Sequence, residues 1–225
     1  MIALDIVSDP ICPWCYIGKT RLDRAIAAVG HDPFTPRWRM FRLNPDMPAE
    51  GMDRRAYLEA KFGGPDGAAR VYGRIAEMAA ADGMELDLDG ITRTPQTLNA
   101  HRLIRWAENE GAQTPVVDAL FKAYFEERED IGDPAVLTRI AGEHGMDAEV
   151  VARLLEGEAD NQALVEEETA ARDMGVTGVP FYVIQGRHVI QGAQDTETWI
   201  KVITEINAAL EARGREVAEA QEGDA

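Results

Sequence analysis

Apolar positions along the chain change their period several times. Ile2-Ala3-Leu4-Asp5-Ile6-Val7 is a short, β-branched and almost continuous apolar run, the length of a buried strand. Trp14, Ile17, Leu22, Ala25, Ile26 and Val29 then recur at helical spacing until Gly30 stops the pattern. After the turn Gly30-His31-Asp32-Pro33, alternation returns in Thr35-Pro36-Arg37-Trp38-Arg39-Met40-Phe41, which predicts a second strand. The three pieces predict a β-α-β unit.

From Leu43 the texture changes. Asn44-Pro45-Asp46-Met47-Pro48 and Gly51 read as a loop, and helical punctuation follows for more than a hundred residues. Asp53 and Asp66 start helices near 54–62 and 66–82, and Thr94-Pro95, Thr114-Pro115 and Asp133-Pro134 each read as an N-cap followed by proline at the first helical position. The stripes Leu98, Leu103, Ile104, Trp106 and Val116, Val117, Leu120, Phe121, Tyr124 have core-facing spacing. A helix near 160–174 carries Glu166-Glu167-Glu168, a triplet that reads as a solvated face. The apolar run Val179-Pro180-Phe181-Tyr182-Val183-Ile184 and His188-Val189-Ile190-Gln191 predict a hairpin about Gly186-Arg187. A last helix from about Asp195 buries Trp199, Val202, Ile203, Ile206 and Leu210. The organisation expected is α/β: residues 1–45 and 161–213 form one discontinuous domain, 46–160 a large all-helical insertion, and 214–225 an acidic, disordered tail.

Length is sufficient for a substantial core, with 225 residues and 45% hydrophobic positions. Forty acidic against 23 basic residues give a formal charge of −17, which argues against a nucleic-acid or anionic-lipid partner. The first strand begins directly after Met1, without a basic segment, an apolar core or a cleavage site, so a cytoplasmic location is expected. No window approaches a membrane span.

The chemistry concentrates in Asp9-Pro10-Ile11-Cys12-Pro13-Trp14-Cys15-Tyr16-Ile17-Gly18, where the predicted strand meets the predicted helix. Cys12 and Cys15 are the only cysteines of the chain. Cys12 falls at the helix N-cap with Pro13 at the first helical position, so unpaired N–H groups and the positive end of the macrodipole point at its sulfur. A thiolate is favoured there, which makes Cys12 the expected accessible nucleophile and Cys15, one turn further in, the shielded resolving thiol. A zinc site would need two more ligands, and His31, His101, His144 and His188 are scattered without paired spacing. A structural crosslink over three residues closes too short a loop to stabilise much. In a cytoplasm that keeps dithiols reduced, the pair is expected to be catalytic or sensory.

With the cysteine pair opening a helix, a long helical stretch, and Gly178-Val179-Pro180 before a hairpin and a final helix, the chain resembles the thioredoxin-fold DsbA family. The likeness is nearer to its FrnE-like branch, related to 2-hydroxychromene-2-carboxylate isomerases and kappa-class glutathione transferases, and it covers residues up to about 213. The resemblance implies a thioredoxin-like fold with an insertion and thiol–disulfide oxidoreductase activity. It implies Cys12 as attacking and Cys15 as resolving thiol, and Pro180 as a cis-proline beside them, with Val179 offering backbone hydrogen bonds to substrate. Pro13 and Trp14 would line the substrate rim. Strongly oxidising DsbA proteins resemble Cys-Pro-His-Cys; here tryptophan brings no charge to the thiolate, so a less oxidising couple is expected. No metal or organic cofactor is required. The expected partners are protein or small-molecule thiols and disulfides, with glutathione a candidate co-substrate and a homodimer compatible with the pattern.

Two alternatives remain at this point. The isomerase and transferase relatives usually carry serine at the position of Cys12, and Asn99, His101 and Arg102 could then face the cleft and hold a small ligand. A non-catalytic binding or holdase protein would use an apolar groove formed by the insertion and the Cys12/Cys15 pair, and its activity would survive Cys12→Ser.

Overall fold

The computed structural model describes residues 1–222, with their side chains through residue 212; the last helix continues through 214–222, where the sequence predicts a disordered tail, and 223–225 lie outside the described residues. Strand β1 (Ile2–Ser8) pairs in parallel with β2 (Phe34–Met40) and antiparallel with β5 (Phe181–Ile184), whose hairpin partner is β6 (His188–Gln191). The sheet order is β2-β1-β5-β6. The central place of β1 matches its sequence, since an apolar run without clean alternation suits a strand covered on both faces. Between β1 and β2 runs α1 (Pro13–Val29). Gly30 ends α1 in the left-handed region, at φ 74°, and donates its N–H to the carbonyl of Ile26.

Between β2 and the helix α8 (Asn161–Asp173) lie α2 (Arg54–Phe62), α3 (Pro65–Ala81), α4 (Leu98–Asn109), α5 (Gln113–Phe125), α6 (Pro134–Glu143) and α7 (Ala148–Glu156). One two-residue ladder, β3 (Met52–Asp53) against β4 (Arg93–Thr94), interrupts this helical stretch. The last helix, α9 (Thr196–Glu222), packs along α1, and its Trp199 meets Phe34 and Tyr182 edge-on at centroid distances of 6.4 and 4.8 Å. A single hydrophobic cluster runs from the sheet through α1 into α4, α5 and α6, so the helical stretch is packed onto the β1-α1-β2 unit. No helix among the described residues is long and apolar enough to cross a membrane.

Three helix starts differ from those the sequence predicts. Thr94 caps no helix: it is a buried β4 residue whose hydroxyl accepts a hydrogen bond from Arg54, and Pro95 after it disfavours helical geometry at Thr94. α4 begins four residues later, after Thr97. α5 begins at Gln113, two residues before Pro115, because both Gln113 and Thr114 accept hydrogen bonds from Trp38. Proline is tolerated within that first turn, where backbone N–H groups have no intrahelical partner. α3 begins at Pro65 after Gly64, which places Asp66 inside its first turn.

The acidic triplet also differs from its reading. Glu168 is 2% exposed and accepts from the Arg42 backbone N–H at 2.9 Å, the Arg42 guanidinium at 2.7 and 2.8 Å, and Arg172 at 2.7 Å. The network ties α8 to the chain just beyond β2.

Candidate active site

The β1-α1 junction is built by a tight turn, in which the Cys12 N–H donates to the Asp9 carbonyl at 2.9 Å. Cys12 has extended geometry (φ −90°, ψ 112°) and stands at the N-cap of α1, with Pro13 first in the helix. Its carbonyl accepts from the N–H groups of Cys15 and Tyr16 at 3.0 and 3.3 Å. No acidic residue occupies the first turn of α1, so no carboxylate competes for the positive end of the helix. Both cysteines are free thiols.

One expectation about them needs correcting. Cys12 is no more accessible than Cys15, each being 2% exposed. Its sulfur lies 3.7 Å from the Val179 carbonyl oxygen, and it is incorporated in the hydrophobic cluster. The two thiols differ in surroundings instead. Burial pushes the Cys15 thiol well up, and the neighbouring Cys12 pushes it further, while contacts from the Ser8 hydroxyl and the Asp9 backbone offset only part of this. Cys15 therefore stays protonated at neutral pH.

Val179, half-buried, and Pro180, buried, are joined by a cis peptide bond, and the Cys12-Val179 contact brings this pair against the cysteines. Pro13 is buried, and Trp14 is half-buried, packed against the hydrophobic cluster. Gly18, one turn after Cys15, lets Pro180 approach α1. A methyl group there would stand 2.7 Å from the Tyr182 hydroxyl, 3.1 Å from Pro180 Cγ and 3.3 Å from the Ala193 backbone. Gly18→Ala is expected to cost about 1–3 kcal/mol in chemical unfolding, as overpacking does, and to slow the reactions of Cys12 by displacing Val179 and Pro180. An unchanged denaturation midpoint and unchanged alkylation of Cys12 would contradict this account of the contact.

Asp9 carries a buried carboxyl at the same junction. It accepts from the Ile11 N–H at 3.3 Å and the Leu43 N–H at 2.7 Å, yet burial outweighs these bonds and pushes its pKa up to about 7. His101 Nε2 lies 3.8 Å from Asp9 Oδ1, and burial pushes the imidazole down to about 3. A histidine neutral throughout the physiological range makes no ion pair, and its Nε2 has no hydrogen-bond partner. His101 is thus interior. Arg102 points elsewhere: it donates to the Leu154 and Ala159 carbonyls at 2.5 and 2.8 Å, at the C-terminal end of α7, and to Asn99 Oδ1 at 2.8 Å. Cations are favoured at that helix end. Asn99, His101 and Arg102 consequently form no ligand-facing set.

The sequence reading passed over Asp9, which no spacing signals as buried, and over Arg54 and Tyr72. Arg54-Arg55 after Asp53 looks like a solvated helix start, but Arg54 is buried with Tyr72 and Tyr124 around it. Burial pushes the Tyr72 phenol up to about 12, against the lowering effect of the Arg54 charge beside it. Two cavities, about 620 Å³ between α1, α5 and α6 and about 860 Å³ on the α6-α7 face, have neither cysteine in their lining.

Comparison with known proteins gives a consistent result. Residues 3–203 match the DSBA-like thioredoxin domain. A probable DsbA oxidoreductase of Streptomyces coelicolor has a crystal structure similar to this chain, with a TM-score of 0.80 and 29% identity over 91% of this chain and 89% of that one. The uncharacterised protein YwbO of Bacillus subtilis is 27% identical over 208 residues, which cover 91% of this chain and 96% of YwbO. The cytosolic disulfide reductase DsbM of Pseudomonas aeruginosa, solved with GSH, shares the fold at 18% identity, with a TM-score of 0.64 over 95% of this chain and 99% of DsbM.

Proposed function

The chain belongs to the DSBA-like thioredoxin domain family, and from that premise we propose that it is a thiol–disulfide oxidoreductase working through Cys12 and Cys15. The observation that carries the reading is the placement of two chemically unequal thiols at one helix start, Cys12 at the N-cap and Cys15 held protonated one turn inside.

In the reducing direction, the Cys12 thiolate attacks one sulfur of a substrate disulfide. The substrate S–S bond breaks, a Cys12–substrate disulfide forms, and the first substrate thiolate leaves with the electron pair. Cys15 then gives up its proton and attacks Cys12 Sγ. The mixed bond breaks, the second substrate thiolate leaves, and the dithiol has become a Cys12–Cys15 disulfide; the reverse sequence oxidises a substrate dithiol. Val179 and Pro180 form the wall against which an extended substrate segment would lie, with Pro13 and Trp14 at its rim. Because Cys12 is covered, substrate must part this wall before the sulfurs can align. Protein and small-molecule disulfides both remain substrates in this reading, glutathione is its natural exchange partner, and the location is cytoplasmic.

The test is equilibration of the purified protein against mixtures of reduced and oxidised glutathione, with the thiols trapped and counted. A reversible two-electron transition is expected, at a potential more reducing than the roughly −120 mV of DsbA. Failure of Cys12 and Cys15 to form a disulfide at any poise would overturn the reading.

A further inference from the structure

The helical stretch after β2 holds a buried positive charge without a negative partner among the described residues. Arg54 is 4% exposed, and its guanidinium donates to the Thr94 hydroxyl at 3.2 Å, the Tyr124 hydroxyl at 2.9 Å and the Tyr72 hydroxyl at 2.6 Å. All three acceptors are neutral. Among the described residues Arg54 makes no ion pair, and its Nε is buried with no hydrogen-bond partner. The rings of Tyr72 and Tyr124 lie 5.0 and 5.6 Å from the guanidinium carbon and supply part of the missing compensation. An interior cation ordinarily has a carboxylate against it. In a chain of net charge −17, an arginine buried without one is a feature to be explained.

Arg54 and Tyr72 both line a cavity of about 370 Å³ between α2 and α3, a size suited to a small molecule. Tyr72 is the connection between the cavity and the charge. Its oxygen accepts from Arg54, while its own O–H has no acceptor among the described residues. A phenol that accepts from a guanidinium is polarised into a stronger donor. It keeps its proton at neutral pH, since burial outweighs the lowering effect of Arg54 and pushes it up to about 12. Of the two acids on the cavity wall, Glu59 is already paired with Arg55 at 2.8 Å, and Asp89 lies on the loop between α3 and β4.

We propose that the cavity between α2 and α3 is a carboxylate-binding subsite for a small thiol or disulfide, with the Tyr72 hydroxyl as donor and Arg54 as the charge behind it. The inference rests on the exchange reading above for the identity of the bound molecule, and on the cavity alone for its carboxylate. It makes the protein selective for acidic disulfides over neutral ones of the same size, although its surface is itself acidic.

Two experiments separate the site from the chemistry. Binding of thiodipropionate, an unreactive thioether dicarboxylate, is followed by NMR shift titration of the reduced protein and of Tyr72→Phe, which keeps the ring over Arg54. Exchange is followed with dithiodipropionate and with the neutral bis-hydroxyethyl disulfide. Thiodipropionate should bind, its dimethyl ester should not compete, and Tyr72→Phe should weaken binding roughly tenfold, the effect of one hydrogen bond to a charged group. The ratio of the two exchange rates should fall by a similar factor in Tyr72→Phe. Equal binding by the wild type and a folded Tyr72→Phe, or an unchanged rate ratio, overturns the subsite. Tighter binding of an end-blocked peptide carrying glutamate side chains would assign the cavity to a protein substrate and overturn the small-molecule assignment. Thiodipropionate binding that persists in a protein unable to exchange either disulfide would support the subsite while refuting the redox reading.

Discussion

Cys12→Ser is expected to bring disulfide exchange down to the uncatalysed rate, a loss on the order of a thousandfold or more, as removal of a catalytic nucleophile does. Cys15→Ser should behave differently. The first exchange still occurs at Cys12, but nothing nearby can attack the product, so one substrate thiol per chain should accumulate as a mixed disulfide that survives gel filtration and is released by reductant. Intact-mass spectrometry reads both outcomes, with the adduct mapped to the peptide containing Cys12. The asymmetry has a structural cause. Both sulfurs are equally buried, but Cys12 faces the start of α1 and the Val179 carbonyl, while Cys15 lies inside the helix with burial and Cys12 both holding its proton in place. An adduct that forms on Cys15 in the Cys12→Ser protein at the wild-type rate would reverse the roles. Absence of exchange in the wild type, with suppression of aggregation of an unfolded client retained in both variants, would move the protein to the binding or holdase class.

How much of this was legible in the sequence depends on whether local rules or tertiary partners decide each residue. α1 was readable because a proline after Cys12 and a left-handed Gly30 delimit it from its own residues, and Asp133-Pro134 starts α6 for the same reason. Thr94-Pro95 carried the same local signal and failed, because the Thr94 hydroxyl is taken by Arg54 from forty residues away. The two-residue ladder of β3 and β4 was beyond reach, since strands so short have no period. The burial of Cys12 was likewise invisible: helix-start chemistry says what a thiol there would do, and only the packing of Val179 says what covers it. Glu168 was misread as part of a solvated helix face and Arg54 was passed over for one reason: sequence gives a charged residue its face but not the element that packs upon that face.

Glu168 gives the second large effect, on stability. In Glu168→Gln the Arg42 guanidinium, itself buried, and the neighbouring Arg172 lose their common carboxylate. Removing one partner from a buried ionic network leaves the others uncompensated, at a cost of about 3–5 kcal/mol, or a fall of about 10 °C in melting temperature for a chain of this size. The pH dependence identifies the cause. Burial alone would raise the Glu168 carboxyl, but hydrogen bonds from Arg172 and Arg42 and the charge of Arg42 outweigh it and hold the folded value below the usual 4.5. A lowered folded value means that this contribution is present in full above pH 4.5 and disappears as pH falls through the folded value, so the gap between wild type and Glu168→Gln should narrow in acid. A pH-independent gap would mean that the loss is one of shape and not of charge. The consequence reaches the thiols through the backbone, because Arg42 donates its N–H to Glu168 and the next residue, Leu43, donates its own to Asp9 on the Cys12 turn. Loosening α8 from Arg42 should therefore increase the alkylation rate of Cys12 in the folded protein at pH 7, where an exposed charge triplet would have left it unchanged.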